Sequence, residues 1–158
     1  MKNVFYYDTP IGKIGIADNG DFVTGLFFGD TYRPQGAQEK ETSLIKRTME
    51  QLREYFAGVR TEFDIPVALQ GTEFQTQVWK ALMVIPYGQT CTYGELAARI
   101  GNPKAFRAVG MANNRNPVSI IVPCHRVIGA SGKLVGYGGG LNVKERLLDL
   151  ERKTSEKR

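Results

Sequence analysis

Two cysteines, one histidine and one tryptophan are all that the 158 residues contain of those types. Two thiols and one imidazole cannot complete a four-ligand Cys/His zinc site, so neither a metal nor another cofactor is expected. No apolar run approaches the ~20 residues of a bilayer span, so no membrane partner is expected. The N-terminus, Met1-Lys2-Asn3-Val4-Phe5-Tyr6-Tyr7-Asp8, has no apolar signal core and reads as a strand. These features place the chain in the cytoplasm, with Cys91 and Cys124 as reduced thiols. Acidic residues are missing in a more telling way. Residues 96–144 contain no Asp or Glu against seven Lys/Arg, whereas residues 1–72 carry eight Lys/Arg and ten Asp/Glu. The net charge of +5 is therefore uneven, with −2 in the first stretch and +7 in the second. An acid-free stretch of that length suggests a polyanionic partner, nucleic acid first; a solvated basic face with no partner is the alternative.

With 42% hydrophobic residues the chain can bury a core, and its length suits one sizeable domain or two small ones. The first third reads as strands over residues 4–7, 13–17 and 22–28. Asn19-Gly20 is a hairpin signal between the second and third. Residues 31–40 read as loop. Residues 42–57 have helical spacing, with Leu44, Ile45, Met49, Leu52, Tyr55 and Phe56 on one face and Gly58 closing it. Residues 63–69 form a short extended piece broken by Pro66. Residues 1–70 are thus an α+β unit without a catalytic constellation, expected to brace residues 71–158.

The second unit opens with a helix capped by Thr72 and lined by Phe74, Val78, Trp79, Leu82 and Met83; this stripe reads as core. Thr92 with Glu95 three residues on is a capping box for a further helix, ending at Gly101-Asn102-Pro103. Pro103 is placed to start another over residues 104–112. Two short helices with a tight glycine-containing joint make a helix-turn-helix pattern. Ala105, Ala108, Gly110 and Ala112 make the second helix small-sided, suited to a minor groove only ~6 Å wide with Arg107 as a wedge, or to tight helix packing. A closing helix is expected over residues 142–152, with Val143, Leu147, Leu148 and Leu150 inward and Glu151 near its end. Residues 153–158 are expected to fray.

Ile120-Ile121-Val122-Pro123-Cys124-His125-Arg126-Val127-Ile128 organises the rest. Its β-branched flanks read as a strand stopping at Pro123, a turn, and a second short strand. The lone histidine adjoins one of the two cysteines. A free thiol near pKa ~8.5 is mostly protonated at neutral pH, and a neighbouring imidazole and guanidinium would lower that value. Cys124 is either such a reactive thiol or a small core hydrophobe. Gly129-Ala130-Ser131-Gly132 and Gly136-Tyr137-Gly138-Gly139-Gly140 follow, flexible enough to bring backbone amides close to a ligand.

Pro123-Cys124-His125-Arg126-Val127, with Asn116-Pro117-Val118 before it and Gly139-Gly140-Leu141 after it, resembles the signature of the O6-alkylguanine-DNA alkyltransferases. Gly101-Asn102-Pro103-Lys104-Ala105 and Arg107-Ala108-Val109-Gly110 resemble that family's helix-turn-helix. The likeness is close from about residue 72 to 151. It implies a mixed α/β (α+β) fold: a small ferredoxin-like or ribonuclease-H-like sheet unit, then a mostly helical, winged helix-turn-helix-type DNA-binding and active-site domain. It also implies a monomer acting on double-stranded DNA containing O6-alkylguanine. Cys124 would take the alkyl group, methyl above all, from O6 of a flipped-out guanine (or O4 of thymine) in a single irreversible turnover. His125 would act as base through a bound water, and Glu151 would orient it. Asn116 would hold the turn, and Tyr93 would serve the departing oxygen. Arg107 would fill the gap in the base stack, with Lys104, Ala105, Ala108 and Arg115 also on DNA. Tyr93, Val127, Tyr137, Gly138 and Ser119 would line the base pocket. Gly138 replaces a serine of some members, and Ser119 and Asn113 replace apolar residues around the alkyl group.

A protein that recognises alkylated DNA without repairing it is the competing possibility, but Cys124 stands where such relatives commonly carry tryptophan. A cysteine hydrolase would need a histidine positioned by the fold and turnover, which an adjacent histidine serves poorly. A simple helix-turn-helix regulator leaves Pro123-Cys124-His125-Arg126 unexplained.

Overall fold

The computed structural model describes residues 1–157. Contacts divide the chain after Leu69 into two compact units. In the first, β1 (Asn3–Thr9), β2 (Gly12–Asp18) and β3 (Val23–Phe28) form an antiparallel meander, and β4 (Gln38–Glu39) adds to β1 in parallel. The order across the sheet is β3-β2-β1-β4. β4 lies in the stretch expected to be loop; two backbone bonds, Gln38 N–H to the Lys2 carbonyl and Lys40 N–H to the Val4 carbonyl, fix it. The short extended piece expected over residues 63–69 meets β3 through an isolated bridge, Val67 with Val23.

The Asn19-Gly20 turn has a physical basis. The Asn19 side-chain oxygen accepts the amides of Asp21 and Phe22, and Gly20 takes a positive φ of 101°. Gly15 in β2 is needed for a different reason: a Cβ there would run into the Phe27 ring. Helix α1 (Ser43–Phe56) packs on β1 and β2. Ile45, Met49, Leu52 and Tyr55 of the helix and Val4, Ile14, Ile16, Val23 and Leu26 of the sheet are all buried. Thr42 caps it, accepting the Ile45 amide, and is tied to the buried Asp18–Asn3 pair.

The second unit contains α2 (Glu73–Leu82), β5 (Cys91–Thr92), α3 (Tyr93–Arg99), α4 (Phe106–Asn114), β6 (Val127–Ile128) and α5 (Leu141–Glu156). Thr72 with Gln75, and Thr92 with Glu95, form reciprocal capping boxes at the starts of α2 and α3. Trp79 is core. Its indole N–H donates to the Ala112 carbonyl at 2.8 Å, pinning α2 to α4. β5 and β6 pair in parallel, which fixes the chain leaving Cys124 against the chain entering α3.

Three expectations need correction here. The second helix of the motif begins at Phe106, not at Lys104; Ala105 N–H bonds back to the Asn102 carbonyl, so Lys104 and Ala105 lie in the connecting turn. α5 continues to Glu156, helped by Arg152 paired with Asp149 and Glu156, so residues 153–156 do not fray; Arg158 lies outside the described residues. No strand runs into Pro123. Residues 118–122 coil into a tight buried turn instead.

Candidate active site

That turn is built by one side chain. The Asn116 carboxamide oxygen accepts the Val118 amide at 3.0 Å, and its nitrogen donates to the Val122 carbonyl at 2.7 Å. The chain must reverse between those two contacts, and Ile120 takes a φ of 72° to do so. A left-handed β-branched residue costs roughly 1–3 kcal/mol and persists only where its surroundings over-determine it. Beyond Pro123, residues Cys124–Arg126 form a single 3-10 turn rather than a strand end. On a strand, neighbouring side chains would point to opposite faces.

His125 is fully buried, and its Nε2 lies 2.6 Å from Glu151 Oε2. Three further donors hold that carboxylate: Arg126 Nε at 2.8 Å, Arg126 Nη2 at 3.1 Å and the Gly88 amide at 3.2 Å. Gly88 has no substitute there, since φ is 80° and a Cβ would strike the Ser155 hydroxyl. Burial alone would raise the Glu151 pKa, but His125 and Arg126 overcome it and bring it down to about 2. Burial, opposed by Glu151, holds His125 below its ordinary value, so the ring is neutral. An ionised carboxylate only accepts, so Nε2 carries the hydrogen and Nδ1 keeps a lone pair. Nδ1 is buried with no hydrogen-bond partner among the described residues.

The surroundings of Cys124 correct the expectation of a thiol lowered by imidazole and guanidinium. Arg126 faces away: it grips Glu151 and the Ile85 carbonyl, and lies 5.6 Å from the centre of the Tyr87 ring. Cys124 is 5% exposed, and burial pushes its thiol up against the opposing pull of Asn116, Lys144 and Ser119. The sulfur is thus a protonated thiol at rest, in a polar nest. Sequence reasoning did not foresee the cation in that nest. Lys144 sits on α5 in one stripe with Leu147 and Glu151, all three buried. Periodicity finds such a stripe only through its apolar members, which is why Val143, Leu148 and Leu150 attracted the assignment.

Tyr93, at the first turn of α3, donates its hydroxyl to the Val135 carbonyl at 3.1 Å. Burial raises its pKa, and Cys124 adds to the rise when it ionises, so Tyr93 remains a donor. Tyr137 is pushed further up by burial, Cys124 and Glu151. Gly138 is exposed, and a Cβ there would meet nothing within 4 Å, so a serine would fit. Ser119 is buried beside the sulfur. Val127 is completely buried in β6, so any contact it makes with a base is through its main chain. Asn113, also unforeseen in this role, is buried with its amide nitrogen 3.4 Å from the Cys124 carbonyl oxygen.

Helix α4 turns Phe106, Arg107, Ala108, Met111 and Asn114 outward, with Arg115 following, while Val109, Ala112 and Asn113 face the core. Lys104 is exposed in the preceding turn and Ala105 half-buried. Arg107 lies 5.9 Å from the Phe106 ring centre. Large apolar groups set among cations on one face suit a partner that is both anionic and stackable. Phe106 (48% exposed) and Met111 (61%) are additions to the face read from the sequence.

The chain matches the family described as 6-O-methylguanine DNA methyltransferase in two parts. The ribonuclease-like domain matches residues 4–69 and the DNA binding domain matches residues 73–153. It is 53% identical to the methylated-DNA–protein-cysteine methyltransferase of Mycobacterium tuberculosis strain H37Rv over 147 residues, covering 92% of this chain and 89% of that one. Identity with the protein of the same name from Methanosarcina acetivorans is 52% over 149 residues, covering 92% and 95%. The crystal structure of M. tuberculosis OGT in complex with DNA superposes with a TM-score of 0.91 at 49% identity, covering 96% of this chain and 94% of that one.

Proposed function

The chain belongs to the 6-O-methylguanine DNA methyltransferase family, and on that footing we propose that Cys124 is the sulfur that takes the alkyl group. The activity is direct repair of double-stranded DNA. An alkyl group on O6 of guanine passes irreversibly to a protein cysteine, once per molecule, with the base turned out of the duplex. The observation that carries the assignment to Cys124 is the lone imidazole on the same short turn, locked by a carboxylate that four donors keep ionised.

The steps follow from the protonation states. His125 Nδ1 takes the thiol proton, through a bound water where the two do not meet directly. The sulfur attacks the alkyl carbon; the S–C bond forms as the C–O6 bond breaks, and the electron pair stays on O6. The proton returns from His125 to the guanine ring, so guanine and thioether are both neutral. Tyr93 turns from the Val135 carbonyl to donate a hydrogen bond to O6 as charge develops there. Glu151 holds the imidazole and stabilises its transient charge. Asn116 and Ser119 position the sulfur, and Tyr137 and the Gly138 backbone flank the base. On the DNA side, Arg107 enters the stack while Lys104, Ala105, Ala108 and Arg115 meet the backbone and groove. Two free thiols suit the cytoplasm, and a monomer suffices for every step.

With an excess of duplex containing O6-methylguanine, restored guanine is expected to stop at one per protein molecule. Steady accumulation beyond that would make the protein a multiple-turnover enzyme and remove Cys124 as terminal acceptor. Arg107→Ala is expected to lower transfer from fully stacked duplex about ten-fold more than transfer from a substrate whose base is already extruded, since flipping costs a few kcal/mol. Equal losses on the two substrates would deny Arg107 the wedge role.

A further inference from the structure

Lysine is almost never fully buried unless paired. Lys144 is completely buried, and among the described residues no carboxylate lies within ion-pair distance of it. Its acidic neighbour on the same stripe, Glu151, is taken by His125 and Arg126. Its ammonium has one hydrogen bond, to the Val135 carbonyl at 2.9 Å. The same carbonyl accepts the Tyr93 hydroxyl, so one backbone atom holds two side chains that both interact electrostatically with Cys124. A desolvated ammonium needs a negative partner, and the group that can become one here is Cys124.

We propose that Lys144 is a positioning residue for the alkyl transfer: its ammonium, sealed in the C-terminal unit and tethered to the Val135 carbonyl, is the fixed counter-cation of the Cys124 sulfur. The proposal rests on Cys124 being the acceptor. The interaction is mutual. Burial pushes both groups toward their neutral forms, Lys144 favours the thiolate, and the thiolate favours the ammonium. The same charge helps keep His125 neutral and so able to accept a proton. The other ionisable groups around the sulfur do not replace it. Arg126 and His125, on its own turn, are engaged with Glu151 of α5. Tyr93 from α3 and Tyr137 from the glycine-rich loop hold their protons.

A lysine that merely pinned the loop would affect DNA repair without changing how the sulfur titrates. The test is therefore the pH dependence of Cys124 carboxamidomethylation by iodoacetamide, followed by peptide mass mapping in the full chain without DNA. In Lys144→Met the midpoint should move to higher pH. Modification at neutral pH should then be about ten-fold slower for every pH unit the midpoint rises, and should recover at high pH. Lys144→Arg should stay within about three-fold of the parent. An unchanged midpoint in Lys144→Met would overturn the proposal, whatever happens to repair. Should that variant not fold, the unsubstituted protein decides. The Lys144 Cε resonance should titrate at lower pH once Cys124 is S-methylated than before, because the thiolate is gone. No difference between the two forms would overturn the proposal equally. Neither readout involves DNA, so their failure is distinct from a failure to find methyl on Cys124.

Discussion

Glu151→Gln is expected to slow alkyl transfer about a hundred-fold or more and to destabilise the protein by about 3–5 kcal/mol. Both effects have one origin. The carboxylate is 1% exposed and accepts from His125, Arg126 and Gly88 at once. Glutamine keeps the volume but removes the charge, which leaves the Arg126 guanidinium buried without a counter-ion. Its amide also offers hydrogens where Nε2 needs an acceptor, so the histidine tautomer that leaves a lone pair on Nδ1 is no longer enforced. The acid limb of stability gives an independent reading. Glu151 titrates at about 2 in the fold against an ordinary 4.5, so between those values the unfolded chain binds more protons than the native one. Its contribution, about 3 kcal/mol, is complete above pH 4.5 and disappears as pH falls toward 2. Denaturant titrations across that window should show the loss in the parent and a flatter limb in Glu151→Gln. A variant that transferred alkyl groups at the parental rate would mean His125 is not held by this carboxylate.

Cys124→Ala is expected to abolish alkyl uptake entirely while leaving affinity for duplex DNA within about two-fold and stability within about 1 kcal/mol. Alanine preserves the backbone of the turn, which Asn116 and not the sulfur maintains. The face offered to DNA lies on α4 and the turn before it, whose outward residues do not depend on the thiol. Cys91 cannot substitute: it is 2% exposed in β5, and burial raises its pKa. Electrophoretic mobility shifts with methylated duplex, alongside intact-mass spectra, would show both halves. Loss of binding together with transfer would make Cys124 chiefly structural.

Much of this arrangement could be read from residue order. Thr72 and Thr92 announce helix starts because their hydroxyls and the residues three places on satisfy amides locally, without help from the rest of the fold. Asn19-Gly20 does the same for the hairpin. The family likeness gave Cys124, His125 and Glu151 together, although 26 residues separate the last two. What stayed hidden depends on distant contacts. Ile120, Ile121 and Val122 are β-branched and look like a strand, but the Asn116 side chain bonds to Val118 and Val122 and folds the chain back. Arg126 sits beside the nucleophile in sequence yet faces the Ile85 carbonyl and Glu151. Gly88 lies 63 residues from Glu151 in sequence and yet donates its amide to the central carboxylate. Lys144 is missing from the inward set read for α5 because hydrophobic periodicity has no means of marking a buried cation.

The central claim is tested most directly by fragment mass mapping of the full-length protein after reaction with an equal amount of duplex containing O6-methylguanine. One methyl group on the Cys124 sulfur, matched by one restored guanine, is the predicted result. Methyl on Cys91 or elsewhere, or guanine restored with no adduct on the protein, would contradict it.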